Sequence, residues 1–216
     1  ICDANLHDPF AGLTTDTVVV FLFVQEPSGP DYAYQIGPDN YFDNALGGLH
    51  LNHSTTFVQN NTFDNIHFGI DVFFDGGIEA TGNTFYDPST AIEASDHVNK
   101  VHIIENNVYG NGQTTRGIIV RYSCQDIKVN GNYLSECSSY GIRVSYNQRD
   151  DYFIEVNDNI LENTVDGSTT GIIAMESTNY TPIDPDIEIN RNQVRGFNSG
   201  IRAFSLTGPQ IIDNEI

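Results

Sequence analysis

Two patterns of apolar and polar positions recur along the chain, both with period two. In "IKVNGN" from Ile127, "IEVNDN" from Ile154 and "IEINRN" from Ile187, apolar residues occupy alternate positions, which is the periodicity of a strand and not of a helix. The second pattern is a small residue, Ile, a variable residue and an apolar residue: "GIDV" at Gly69, "AIEA" at Ala91, "GIIV" at Gly117, "GIRV" at Gly141, "GIIA" at Gly171 and "GIRA" at Gly200. These copies are 22 to 30 residues apart. A period in the twenties that tolerates insertion predicts a solenoid. A leucine-rich repeat of similar length would need several Leu at fixed positions, where this chain has Ile, Val and Asn.

A coil of three short strands sets one inward residue of each copy above its counterpart, so Ile70, Ile92, Ile118, Ile142, Ile172 and Ile201 are expected to form one apolar stack. The small residue before each Ile is expected at a crowded corner that needs backbone angles open to glycine. A recurring Asn, read at Asn61, Asn83, Asn107, Asn132, Asn159, Asn192 and Asn214, is expected as a structural ladder: Asn tolerates left-handed corners and its amide can bond to the Asn one coil away. The fold expected is therefore all-β, a parallel β-helix solenoid of about seven coils over residues 48–216. Residues 1–47 lack the repeat and carry the apolar strand "TVVVFLFV" and a Pro/Gly turn, so they read as a non-repeating N-terminal cap over the open sheet edges. The chain starts at "ICDANL" and stops at "DNEI", part-way through a copy, and the array is expected to continue beyond it.

On the "GIxV" strands and the "VxIxxNxI"-type segments, which cover roughly His50 to Ile216, the sequence resembles the right-handed parallel β-helix repeat family of the pectate-lyase-like superfamily. The resemblance implies a right-handed coil. It also implies that any substrate lies along the first-strand face, where Arg or Lys acts beside a uronate or paired carboxylates hydrolyse a glycosidic bond. The "DPHE" tetrad of alginate epimerases and the "NTD", "GDD" and "RIK" set of polygalacturonases do not occur in this chain.

Charge narrows the partners. The 216 residues hold nine Lys and Arg against 29 Asp and Glu, for a formal net charge of −20. Such a surface disfavours nucleic acid and anionic membranes, which need clustered cations. The eight-residue apolar run Thr17 to Val24 falls far short of the roughly 20 residues of a membrane helix, so no membrane insertion is expected. Cys2, Cys124 and Cys137 show neither metal spacing nor a disulfide framework; the latter two read as small buried hydrophobes. Sequons at Asn52, Asn60 and Asn179 are too short a signal to decide anything.

The candidate chemistry sits on the outward positions of the first strands and directly beside them. Asp71 and Glu93 on neighbouring coils are candidates for an acid and a base. Arg121 and Arg143 are candidates for holding a sugar carboxylate, and Phe73, His97, Tyr122 and Tyr146 for substrate contact. The plainer expectation is that opposite charges on adjacent coils pair with each other. Ile119, Ile173, Met175 and Phe204 on the same face suggest that something covers part of it. The remaining histidines read as surface or turn residues. Asp184 with Asp186, Asp150 with Asp151, and Asp71 with Asp75 offer hard oxygen ligands for a candidate structural calcium, with no metal assigned. Two functions are expected from this reading. The first is a non-catalytic module of a larger extracellular or cell-surface protein, meeting polysaccharide or neighbouring protein subunits. The alternative is a uronate lyase, epimerase or glycosidase working around Asp71, Glu93, Arg121 and Arg143.

Overall fold

The structure, a computed structural model, describes residues 33–52, 55–112, 115–145, 153–164, 170–175, 186–204, 206 and 209–216. Its described strands form three parallel sheets that run the length of the solenoid, and each coil contributes one strand to each sheet. The first sheet has seven six-residue strands: Gly47–Asn52, Phe68–Phe73, Thr90–Ser95, Arg116–Arg121, Tyr140–Ser145, Thr170–Met175 and Ser199–Phe204. The second has eight strands, from Ala33–Ile36 to Gln210–Ile212, and carries the alternating segments such as Ile127–Asn130 and Phe153–Asn157. The third has seven three-residue strands, from Tyr41–Asp43 to Gln193–Arg195. The all-β parallel solenoid expected from the periodicity is what forms. The coil pattern also reaches back to Ala33, into the stretch that the repeat outline leaves as cap; residues 1–32 lie outside the described residues.

The inward residues stack in register. Leu49 pairs with Ile70, then Ile92, Ile118, Ile142, Ile172 and Ile201 follow coil by coil, and all but the last are buried in the core. A fully buried aliphatic side chain of this size contributes about 1.5–3 kcal/mol, so this column alone is a large part of what holds successive coils together. Beneath the third sheet, Phe42, Phe63 and Phe85 stack face to face with ring centroids 4.7 Å apart at each step.

The corner before the first sheet needs its small residue for a different reason from the one expected. Gly69 and Gly117 do not adopt left-handed angles. They are needed because a Cβ on Gly117 would lie 2.2 Å from the Gly141 carbonyl oxygen and 2.3 Å from Leu134 Cδ2, and one on Gly69 would lie 2.4 Å from the Ala91 carbonyl oxygen. Close approach of coils, not φ, selects the residue.

The Asn ladder forms, with one correction. Its members are Asn61, Asn83, Asn106, Asn132, Asn159, Asn192 and Asn214, each receiving hydrogen bonds from the backbone N–H and side-chain amide of the member one coil before. Asn40 adds a rung at the N-terminal end, donating to Asn61 Oδ1 at 2.8 Å. Asn107, read as the ladder residue, instead opens the third-sheet strand Asn107–Tyr109 and pairs with Thr84 and Tyr133. The left-handed angle falls on the residue just before each ladder Asn: Asn60, Gly82, Glu105, Gly131, Asp158, Arg191 and Asp213. A second amide column lies two residues earlier, where Asn130 accepts from Asn157 N–H, Asn157 from Asn190 N–H and Asn190 from Ile212 N–H. Both columns meet the hydrogen-bonding needs of a corner that is withdrawn from water.

Candidate functional site

The parallel register decides which outward residues meet on the first sheet. His50, Asp71, Glu93, Ile119, Arg143, Ile173 and Arg202 form one row, and Asn52, Phe73, Ser95, Arg121, Ser145, Met175 and Phe204 the next. Asp71 and Glu93 are therefore direct neighbours across coils, about 4.8 Å apart along the stacking direction. Arg121 sits diagonally from Glu93 and pairs with it through Nη2 and Oε1. Arg143 does not join them, because Ile119 occupies the intervening rung. Its Nε donates to Ser145 Oγ at 3.1 Å, its Nη2 lies 3.9 Å from Met175 Sδ, and its guanidinium lies 5.6 Å from the centroid of the Tyr140 ring.

Phe73 stands beside this cluster, with its ring 5.1 Å from that of His50. His97 and Tyr122 are not on the ladder. The strands end at Ser95 and Arg121, and His97 and Tyr122 occupy the left-handed corners beyond; both are exposed, with the Tyr122 ring 4.8 Å from the Arg121 guanidinium carbon. Tyr146 and the acidic residues Asp150, Asp151 and Asp184 lie outside the described residues. Asp186 opens the strand Asp186–Asn190, and Asp75 lies in an exposed left-handed turn past the strand that carries Asp71. Among the described residues, no group of three or more His, Cys, Asp or Glu side chains is placed to hold a metal ion.

The outward face over the middle coils is withdrawn from solvent. The Glu93 side chain is 5% exposed, that of Asp71 14% and that of Arg121 34%, while Ser95, Ile119 and Ser145 are buried. Burial pushes the Asp71 carboxyl up from 3.8 to about 7, the Glu93 charge pushes it the same way, and Arg121 only partly opposes them. Asp71 Oδ2 lies 3.4 Å from His50 Nδ1, whereas Asp71 Oδ1 and Arg121 Nε are buried without a hydrogen-bond partner. Near neutral pH the Asp71 carboxyl, beside the Glu93–Arg121 pair, is thus poised between its two forms.

A carboxyl raised in this way is more protonated in the folded than in the unfolded chain, so its contribution to stability is complete below pH 3.8 and is lost as pH rises through about 7. Asp71→Asn removes that loss. The variant is expected to match wild type near pH 4 and to exceed it at pH 8 by about 2 kcal/mol, after allowance for residual solvent contact. Urea unfolding at the two pH values measures the difference.

His50 is a member of this face that the repeat outline passes over. Its strand reads "GGLHLN", with Leu in place of the recurring Ile and no earlier copy to align with, but Gly48 stands 21 residues before Gly69 and that spacing is the available signal. The two buried thiols behave as small hydrophobes: Cys124 and Cys137 are fully buried in the core, and burial pushes each up to about 12. Cys2 lies outside the described residues, and among the described residues there is no helix long and apolar enough to cross a membrane.

No curated protein and no solved structure matches the chain. A family model described as the right handed beta helix region matches residues 38–194, more than two thirds of the 216 residues. With the three parallel sheets, the stacked core and the Asn ladder already in place, the chain belongs to the right-handed β-helix family.

Proposed function

We propose that this chain is a rigid, non-catalytic β-helix module of a larger secreted or cell-surface protein, presenting its outer faces to polysaccharide or to neighbouring subunits. The observation that carries this reading is the mutual engagement of the first-strand charges. Glu93 pairs with Arg121, Asp71 faces His50 and Arg143 turns to Ser145 and Met175, and the face is withdrawn from solvent where Glu93, Ile119 and Ser145 lie. Seven coils joined by continuous backbone ladders and two amide columns suit a spacer that transmits position without deforming.

One observation favours a second reading, a polysaccharide lyase, epimerase or glycosidase. Asp71 and Glu93 are adjacent carboxyls, and the raised Asp71 gives the pair the unequal protonation that acid–base chemistry on a glycosidic bond or a uronate uses. The experiment that separates the two readings is turnover of acidic and neutral polysaccharides by the folded protein, with and without calcium, followed by unsaturated-product absorbance, reducing ends and NMR for epimerisation. The module reading expects no product from any substrate. Product formation that disappears in both Asp71→Asn and Glu93→Gln overturns it.

A further inference from the structure

The third sheet carries a surface feature that neither the first-strand cluster nor the core accounts for. Its outward positions place Asp43, Asp64, Tyr86 and Tyr109 in one row and Thr62, Thr84, Asn107 and Tyr133 in the other. Tyr86 and Tyr109 stack with ring centroids 5.3 Å apart and planes within 14°, and Tyr133 closes on Tyr109 at 5.6 Å. Tyr86 is 43% exposed and Tyr109 38%, so the aromatic strip faces water. Immediately after this row the chain turns through the left-handed corners at Asn44, Asn65 and Asp87. Three successive corners enclose an open hollow of about 440 Å³ whose walls include Asn44, Leu46, Asn65, His67, Asp87 and Ser89.

Strip and hollow are rigidly joined. Asn44 N–H donates to the Asp64 carbonyl, Asn65 N–H to that of Tyr86 and Asp87 N–H to that of Tyr109, at 2.8–3.1 Å. The Asn65 side-chain amide donates to Asn44 Oδ1 and Tyr41 Oη donates to Asp64 Oδ2, so the polar groups are ordered before any ligand arrives and lose little freedom on binding.

We propose that this strip and hollow form a binding site for an uncharged polysaccharide chain, with pyranose faces packed on Tyr86 and Tyr109 and hydroxyls bonded to the amide and carboxylate groups of the corners. Flat aromatic faces beside planar polar groups suit a ring that is apolar on its C–H face and hydroxylated at its edge. The sign of the charge fixes the class of glycan. Asp43, Asp64 and Asp87 border the site, neither the strip nor the walls of the hollow contain Lys or Arg, and the chain as a whole carries −20, so a uronate or sulfated polymer is repelled. This inference rests on the module reading and names the ligand class that such a module would hold. Catalytic turnover at Asp71 and Glu93 would remove that reading and leave this site standing, whereas failure of the binding test below removes this site alone.

The test uses the full chain with four neutral probes, cellohexaose, maltohexaose, mannohexaose and xylohexaose, and with polygalacturonate as the charged comparison. Binding is read by calorimetry and by shifts of the tyrosine ring signals in NMR. The expected result is saturable binding of at least one neutral hexasaccharide, weakened about tenfold by Tyr109→Ala and by Tyr86→Ala, weakened by Asn65→Ala, and unchanged by Lys128→Ala on the second sheet. Unchanged thermal midpoints in the exposed-residue variants separate lost binding from lost folding. No saturable binding of any of the four, wild-type affinity in the tyrosine variants, or preference for polygalacturonate overturns the proposal. Sedimentation that shows dimers dissolved by Tyr109→Ala also overturns it, because the strip is then a contact between copies of this chain.

Discussion

Replacing Asn106 with alanine is expected to destabilise the protein by about 3–5 kcal/mol, while Asn107→Ala, one residue away, is expected to cost less than about 1 kcal/mol. The Asn106 amide donates to the Ala80 carbonyl at 2.9 Å, to the Ile104 carbonyl and to Asn132 Oδ1 at 3.1 Å, and its oxygen accepts from the backbone and side chain of Asn83 at 3.0 Å. The Asn106 side chain is completely buried. Alanine leaves several donors and acceptors without partners in a place that water does not reach, and each such orphan costs about 1–3 kcal/mol. Asn107 faces outward on the third sheet, and alanine there preserves its backbone pairing. Urea unfolding of the two variants side by side measures the contrast, and equal losses would show that the ladder does not pass through Asn106.

The same pair of residues shows what the sequence makes legible and what it hides. Strand periodicity, the Ile stack and the coil spacing are all readable because a parallel solenoid repeats one burial pattern, and an inward residue reads apolar whichever coil it belongs to. The ladder position is blurred at "ENNVY" because two Asn occur together. The structural rule is that the ladder Asn stands two residues before the inward residue of the third-sheet strand, as in "NTF", "NYL" and "NQV", and that rule selects Asn106. His50 and the first coil are hidden for a related reason: Leu49 replaces Ile, and Asn40 lies in a stretch with only one recognisable partner.

The first-strand site is legible in part. Period two correctly puts Asp71, Glu93 and Arg121 on one outward face, and parallel pairing then makes them neighbours. Sequence does not reveal that Glu93 is nearly enclosed or that Ile119 separates Arg143 from the carboxylates, because these depend on lateral register and on what covers the face. Extending the alternation past Ser95 puts His97 on the face, but the left-handed corner at Asp96 and His97 breaks it, and Tyr122, next to the outward Arg121, lies in such a corner too.

Arg121→Met is the second change with a large expected effect, a loss of about 3–5 kcal/mol at pH 8. Methionine keeps most of the length and packing of the side chain but removes the cation from Glu93, which then stays enclosed beside Asp71 with no opposite charge. Removing one partner of an enclosed ion pair is costly because the remaining charge has lost both water and its counter-ion. The loss is expected to be smaller at pH 5, where Asp71 is protonated and no longer confronts Glu93 as a second anion. Adding Asp71→Asn to Arg121→Met is expected to restore part of the stability at pH 8 for the same reason. Chemical denaturation of the single and double variants at both pH values measures all of these effects, and a loss independent of pH and of Asp71 would mean that Arg121 acts through packing alone.

If the first-strand charges are internal structure and not a reaction site, Glu93 and Arg121 are strongly coupled in stability, and a double-mutant cycle on the two reads that coupling. Stability of wild type, Glu93→Gln, Arg121→Met and the double variant is measured by urea unfolding at pH 8. Each single change is expected to destabilise, and the double variant to be more stable than the sum of the singles implies, with a coupling of about 2 kcal/mol or more. If both single variants are as stable as wild type and the coupling is negligible, Glu93 and Arg121 do not hold this face together and the structural reading is contradicted.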